Sequence, residues 1–357
     1  MAKRRSTLNG TPPDKEGVTS AGSKRPAMVE YSYLVDSIGM LLNQGRKQAY
    51  QAIDSIIVRT YWEIGKQVVE YEQGGQKKAE YGSALLNILS KDLKEKYGKG
   101  FSRSNLYLMR QFYIKYPKIQ TVSGILSWSH YSELLSIGDD MTREFYEKQT
   151  LREKWSVREL KRQIHSALFQ RIALSKDKKG IMEISRQGVI LSDARDIVKD
   201  PYVLEFLDFP EQYRYSEKEL EERIIDNLQM FILELGRGFT FVKRQHRITL
   251  DNNHYYIDLV FYHRILRCFV LIDLKIGKAN HTDIGQMNMY LNYFKEEENF
   301  PEDCAPVGII LSAEKNNLLI KYALGGISNQ LFVSKYQLYL PDKKFLEGKL
   351  REVLDDE

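Results

Sequence analysis

His254-Tyr-Tyr-Ile-Asp258-Leu-Val-Phe-Tyr262 and Cys268-Phe-Val-Leu-Ile-Asp273-Leu-Lys275 are two apolar runs with the length of buried strands, and each holds a carboxylate. Side chains two positions apart on a strand point to the same face. Asp273 and Lys275 therefore sit side by side, and Asp258 can join them from the neighbouring strand. Ionisable groups in an apolar sheet are costly unless paired or bound to metal. Two acids and a lysine so placed point to a Mg2+ site that cuts phosphodiesters. On spacing alone, a structural ion pair between Asp273 and Lys275 stays open.

Working outward, Ser216 to Leu235 has the pattern of one helix. Ser216 caps it, Glu219 completes a capping box, and Leu220, Ile224, Ile225, Leu228 and Phe231 form its apolar side. Strands follow near 239–250, 254–262 and 268–275, then a helix over Asp283 to Phe294, with His281 and Asp283 either starting it or helping to bind metal, and a strand over Val307 to Leu311. Val333 through Pro341 reads as a closing strand. This order implies an α/β (α+β) fold, a mixed sheet flanked by helices.

The N-terminal half is mostly α-helical. Residues 1–27 read as a disordered basic tail, either floppy or an arm that touches phosphates. Tyr31 to Gln73 is helical until Gly74-Gly75 stops it, and a second helix covers Tyr81 to Tyr97. Gly98-Lys-Gly100 breaks the chain before a third helix capped by Ser102. This arrangement is either an ordinary αα-hairpin or a helix-turn-helix whose polar face offers Arg103, Asn105, Arg110 and Lys115 to nucleic acid. Trp128 and His130 either stack on bases or pin a loop. A charged helix from Thr142 to Arg171, broken near Trp155-Ser156, presents a solvated face or a phosphate-tracking stripe. The expected organisation is a tail over 1–27, a helical domain over 28–174, a linker over 175–200 and a second domain over 201–357.

The bulk properties narrow the class. The chain has 357 residues, 43% of them hydrophobic, and a net charge of +5, which permits nucleic-acid binding without requiring it. No run approaches the roughly 18 consecutive apolar residues of a membrane span, and no secretory apolar stretch opens the chain. The two cysteines, Cys268 and Cys304, belong to no CxxC pair, so a reducing cytoplasm is expected.

With these residues in view, the chain resembles the PD-(D/E)XK nuclease superfamily, and within it the YhcG-type nucleases. In the C-terminal half the resemblance runs through Phe231-Ile-Leu-Glu-Leu-Gly236, Phe239-Thr-Phe-Val-Lys-Arg-Gln245, Tyr256-Ile-Asp258-Leu-Val-Phe-Tyr262-His263, Ile272-Asp273-Leu-Lys275, Gly285-Gln286, Tyr290-Leu291 and Val307-Gly-Ile-Ile-Leu311. In the N-terminal half it runs through Tyr61-Trp62-Glu-Ile-Gly65, Tyr97 to Ser102, Leu126 to Tyr131 and Ser156 to Leu160. The resemblance implies a restriction-endonuclease-like core that cleaves DNA with Mg2+, Mn2+ being the substitute ion. It assigns Asp258, Asp273 and the Leu274 carbonyl to the metal, and Lys275 to the attacking water and the phosphate. It places Glu222 near the metal, with Glu221 as its rival, and Gln286 on substrate or against Lys275. Ile257 replaces the family's proline, and Asp273 is one methylene shorter than the usual glutamate. A homodimer and a restriction or defence partner are compatible with this picture. So are a catalytically silent nucleic-acid binder and an interaction subunit.

Overall fold

The computed structural model describes residues 28–73, 82–118, 126–174, 176–210, 214–327 and 329–355. The basic tail over 1–27 and the stop at Gly74-Gly75 lie outside them. The described residues fall into two units, one ending at Ile53 and one beginning at Asp54. Helix α1, Met28–Gln73, runs unbroken through that boundary. From Tyr31 to Ile53 it is largely exposed, with Leu41 66% and Leu42 57% accessible.

The second unit opens with helices. α1 from Val58 onward packs with α2 (Gly82–Tyr97) and α3 (Arg103–Lys115), burying Val68, Leu86, Leu106 and Met109. Ser102 caps α3 as expected, accepting the Asn105 N–H at 3.1 Å. Gly65 lies so close to α3 that an added Cβ would stand 2.0 Å from the Met109 carbonyl oxygen. Four more helices follow: α4 (Trp128–Leu134), α5 (Asp140–Glu153), α6 (Val157–His165) and α7 (Leu168–Ala173). The charged helix expected over Thr142 to Arg171 does break near Trp155-Ser156, and a second break at Ala167 divides it into three. Lys154 and Ala167 take left-handed backbone at the two breaks, and Ser156 caps α6 with Glu159 as its box partner.

The stretch read as a linker over 175–200 carries helix α8, Lys178–Gln187. Ile181 and Ile184 on its inner side are buried in the helical core with Phe145 and Phe169, which a free linker could not do. Helix α13 (Lys343–Asp355), at the far end of the sequence, sends Leu350 into this same core.

The sheet has six strands in the order β1-β6-β5-β4-β3-β2. They are β1 (Tyr202–Val203), β2 (Phe239–Leu250), β3 (Asn253–His263), β4 (Cys268–Lys278), β5 (Val307–Glu314) and β6 (Gln330–Gln337). β2, β3 and β4 are antiparallel, while β4, β5, β6 and β1 are parallel, so the sheet is mixed as expected. The closing strand begins before Val333 and stops at Gln337, short of Pro341.

Both faces are covered, which explains the near-continuous apolar runs of β4 and β5. One face, with Leu259, Ile272 and Leu311, packs on α9 (Glu217–Asp226) and α10 (Leu228–Leu235). The other, with Val260, Leu271 and Ile310, packs on α11 (His281–Tyr293) and α12 (Asn317–Ala323). The single helix expected over Ser216 to Leu235 is therefore two, parted at Asn227, whose side-chain amide donates to the Arg223 carbonyl. Such local bonds compete with the helical ladder.

The helical layer is joined to the sheet by buried charge. Glu234 of α10, fully buried, accepts from Arg171 at 2.8 Å and lies 3.2 Å from Arg162. It also accepts the Val203 N–H of β1 at 3.0 Å. Burial pushes the Glu234 carboxyl upward, but Arg171, Lys199 and Arg162 together hold it at about 2. Lys199, half-buried, donates to the Glu234 carbonyl oxygen, and desolvation brings its pKa down to about 8.

Candidate active site

β3 and β4 pair in antiparallel register with Leu259 opposite Ile272. The next step of that register sets Asp258 across from Asp273. The Leu274 N–H donates to Asp258 Oδ2 at 2.8 Å, fixing that carboxylate against the neighbouring strand. Lys275 Nζ lies 2.8 Å from Asp273 Oδ2, two residues along the same face. The structure thus brings Asp258, Asp273 and Lys275 together, as their spacing required.

The electrostatics are those of crowded acids. Asp273 is 4% exposed. Burial, and then the Asp258 charge, push its pKa up to about 7, against the pull of Lys275. Burial disfavours the Lys275 charge too, but Asp273, Glu217 and Asp258 outweigh it and raise its pKa above the ordinary lysine value. Glu217, first residue of α9, stands 3.8 Å from Lys275.

The acid that α9 turns inward is Glu221, not Glu222. Glu221 is 4% exposed, whereas the Glu222 side chain is 48% exposed and lies 3.9 Å from Lys218. The buried positions of α9 are Leu220, Glu221 and Ile224, so its inner line is set by Ile224 and not by the half-buried Ile225. Burial and the Asp258 charge raise the Glu221 pKa. Arg244 Nε lies 3.3 Å from its Oε1.

Gln245 joins Glu221 to the site, and the motif alone did not single it out for this role. It lies within β2 between the pairs Arg244 with Leu259 and His246 with Ile257, a register that sets it opposite Asp258. Its backbone is left-handed, φ +47°. Its Nε2 donates to Glu221 Oε2 at 2.7 Å and to Asp258 Oδ1 at 3.0 Å. A non-glycine residue in that region is uncommon and repays inspection. Gln245 closes the run Phe239 to Gln245 through which the family resemblance passes, but nothing in that run assigns it a role.

Gln286, on the first turns of α11, donates to the Tyr290 hydroxyl, which donates in turn to the Tyr256 carbonyl at 3.0 Å. It braces the wall of the site through Tyr290 and not through Lys275. Asn280 caps α11 and Asp283 closes its capping box, so Asp283 serves the helix start as expected.

The donor set suits a hard cation. Two carboxylates meet in a buried corner where mutual repulsion already raises one pKa, and an oxygen-preferring ion relieves that repulsion. Among the described residues no three His, Cys, Asp or Glu side chains form a ready-made cage. Two carboxylates with a strand carbonyl nearby match an ion that keeps several waters, as Mg2+ does.

The residues proposed for nucleic acid fare unevenly. Arg103 is exposed on α3. Asn105 donates to the Gly100 carbonyl and accepts from Trp128 Nε1 at 2.9 Å, so it holds the turn. Arg110 pairs with Glu72 at 2.7 Å and Lys115 with Asp140 at 2.7 Å. Trp128 packs edge-on against Tyr61 and Phe112, and His130 bonds Ser127 and the Trp155 carbonyl. Trp128 and His130 pin the fold.

Comparison with known proteins agrees with this architecture. Residues 195–352 match the YhcG PDDEXK nuclease domain, and residues 37–171 match the DUF1016 N-terminal domain. The chain is 40% identical over 352 residues to the Escherichia coli (strain K12) protein described as "Putative nuclease YhcG", covering 90% of this chain and 93% of that one. Among solved structures it is similar to a repair endonuclease from Pyrococcus abyssi (25% identity, 37% of this chain and 50% of that chain, TM-score 0.26). It is also similar to the EndoMS-dsDNA2 complex (17% identity, 38% of this chain and 50% of that chain, TM-score 0.26). The chain spans about half the length of each of these two structures. With nearly the whole of the Escherichia coli protein matched and the two acids and the lysine in place, the chain belongs to the YhcG family of PD-(D/E)XK nucleases.

Proposed function

We propose that this chain is a Mg2+-dependent endonuclease that hydrolyses phosphodiester bonds in DNA, Mn2+ serving as a substitute ion. The observation that carries the reading is the convergence of Asp258, Asp273 and Lys275 on adjacent strands. Asp258, Asp273 and the Leu274 carbonyl would hold the divalent ion, which would supply Lewis acidity toward a phosphate and its water nucleophile. Lys275, whose raised pKa keeps it protonated at neutral pH, acts as a fixed charge. It orients the attacking water and offsets charge growing on the phosphate. Gln245 and the Leu274 N–H hold Asp258 in its orientation, and Glu221 anchors Gln245.

The helical N-terminal region binds DNA or a partner in this reading, with exposed Arg103 as the phosphate contact of its third helix. One site per chain calls for two copies to cut both strands of a duplex. The two free cysteines suit a reducing cytoplasm, and no helix among the described residues is long and apolar enough to cross a membrane.

The test incubates the purified chain with supercoiled DNA and Mg2+, beside an EDTA control, Asp273→Asn and Lys275→Ala. Cleavage that needs the ion and falls about 100-fold or more in both variants is expected. Equal cleavage by all three proteins rejects the assignment. Salt-dependent DNA binding without any product identifies a silent binding module instead, and activity that appears only with a partner identifies a subunit of a restriction or defence system.

A further inference from the structure

We infer that the exposed first half of α1 pairs antiparallel with the same segment of a second copy of this chain, about a twofold axis between Leu41 and Leu42. The inference deepens the requirement for two copies but does not need the nuclease reading, because it rests on the helix alone. Successive residues of a helix turn by about 100°. On that basis Tyr31, Leu34, Ile38, Leu41, Leu42, Gly45, Ala49 and Ala52 fall within about 50° of one line along α1. The large members of this stripe are open to solvent: Tyr31 is 58%, Leu34 53% and Ile38 48% exposed. Tyr33, Met40 and Tyr50 are also exposed, but lie on the back of the helix and are too sparse to make a strip.

The stripe is asymmetric in a way that names its occupant. Its N-terminal half is bulky and its C-terminal half is small. Reversing a second copy about the point between Leu41 and Leu42 sets Ile38 against Gly45, Leu34 against Ala49, and Tyr31 against Ala52. The two central leucines meet at the axis. Each large side chain thus faces a small one, the alternation that lets facing layers interdigitate. Parallel pairing in register would set large against large at one end and leave a void at the other. From Tyr31 to Ala52 the seam is about 33 Å long, long enough for an interface on the order of 1,000 Å2. A lone apolar helix carrying Gly39 and Gly45 is a weak structure in water, and burial against a twin supplies what propensity lacks.

Sedimentation of the full chain without DNA or metal tests this. A dimer at micromolar concentration is expected, with Leu41→Asp/Leu42→Asp giving a monomer of unchanged thermal unfolding for the remaining fold. Gly45→Ile alone should also break the dimer, and Ile38→Gly/Gly45→Ile should restore it, because the swap preserves the large-small match only in the antiparallel register. A wild-type monomer, or a dimer that survives the aspartates, overturns the proposal. Failure of the swap to restore a dimer overturns the register. Should the chain also cleave DNA, the monomeric variant is expected to shift product from double-strand breaks to nicks. Cleavage with no dimer would sink this inference and leave the nuclease reading intact.

Discussion

Two neighbouring glutamates differ in role because one residue turns a helix by about 100°. Glu221 is buried and reaches Asp258 through Gln245, while Glu222 meets solvent and Lys218. We expect Glu221→Gln and Gln245→Ala each to lower DNA cleavage about 10- to 100-fold, with Glu222→Gln close to wild type. Initial rates at saturating Mg2+ decide it, and equal loss in Glu221→Gln and Glu222→Gln would defeat the assignment. The acids of the strands were legible because aliphatic flanks on both sides make a lone Asp conspicuous. Glu221 was not, because Ile225 suggested the wrong inner line and only packing shows that Ile224 sets it. Gln245 was illegible for another reason: its left-handed backbone and its bonds to two acids belong to strand pairing, which no local pattern encodes. Lys199 offers a second residue-scale expectation. Its folded pKa of about 8 lies below the ordinary 10.5. The unfolded chain therefore binds more protons between those values, and stability rises as pH climbs through that window. Lys199→Met should flatten the rise in denaturant midpoints measured from pH 7 to 11.

At the scale of elements, close approach decides as much as apolar patterning. Gly65 of α1 faces the Met109 carbonyl of α3, where a methyl group has no room. Gly65→Ala is expected to lower stability by about 1–3 kcal/mol, read as a shift in urea midpoint with the far-ultraviolet spectrum unchanged. An unshifted midpoint would mean that the helices part freely. Periodicity found α1, α2 and α3 and strands β2 to β5 to within a few residues, since each has one dominant period. It placed the break between α5 and α6 but fused α6 with α7 and α9 with α10, because the breaks at Ala167 and Asn227 come from backbone geometry and side-chain bonds and not from glycine or proline. It also read α8 as linker, since its lysine-rich start hid Ile181 and Ile184.

Over the whole of the unit that begins at Asp54, the helical layer and the sheet share buried charge. Removing one partner of such a cluster leaves the others uncompensated. Glu234→Gln strands Arg171 and Arg162 and is expected to lower stability by about 3–5 kcal/mol. Calorimetry checks it, and a transition that stays single would show that helices and sheet unfold together. The same interdependence governs the chain's birth. Leu350, Val353 and Leu354 of α13 complete a core otherwise built from residues synthesised some two hundred positions earlier. A nascent polypeptide that halts before Lys343 therefore emerges with its helical half uncapped, and that half matures only once α13 has cleared the ribosome.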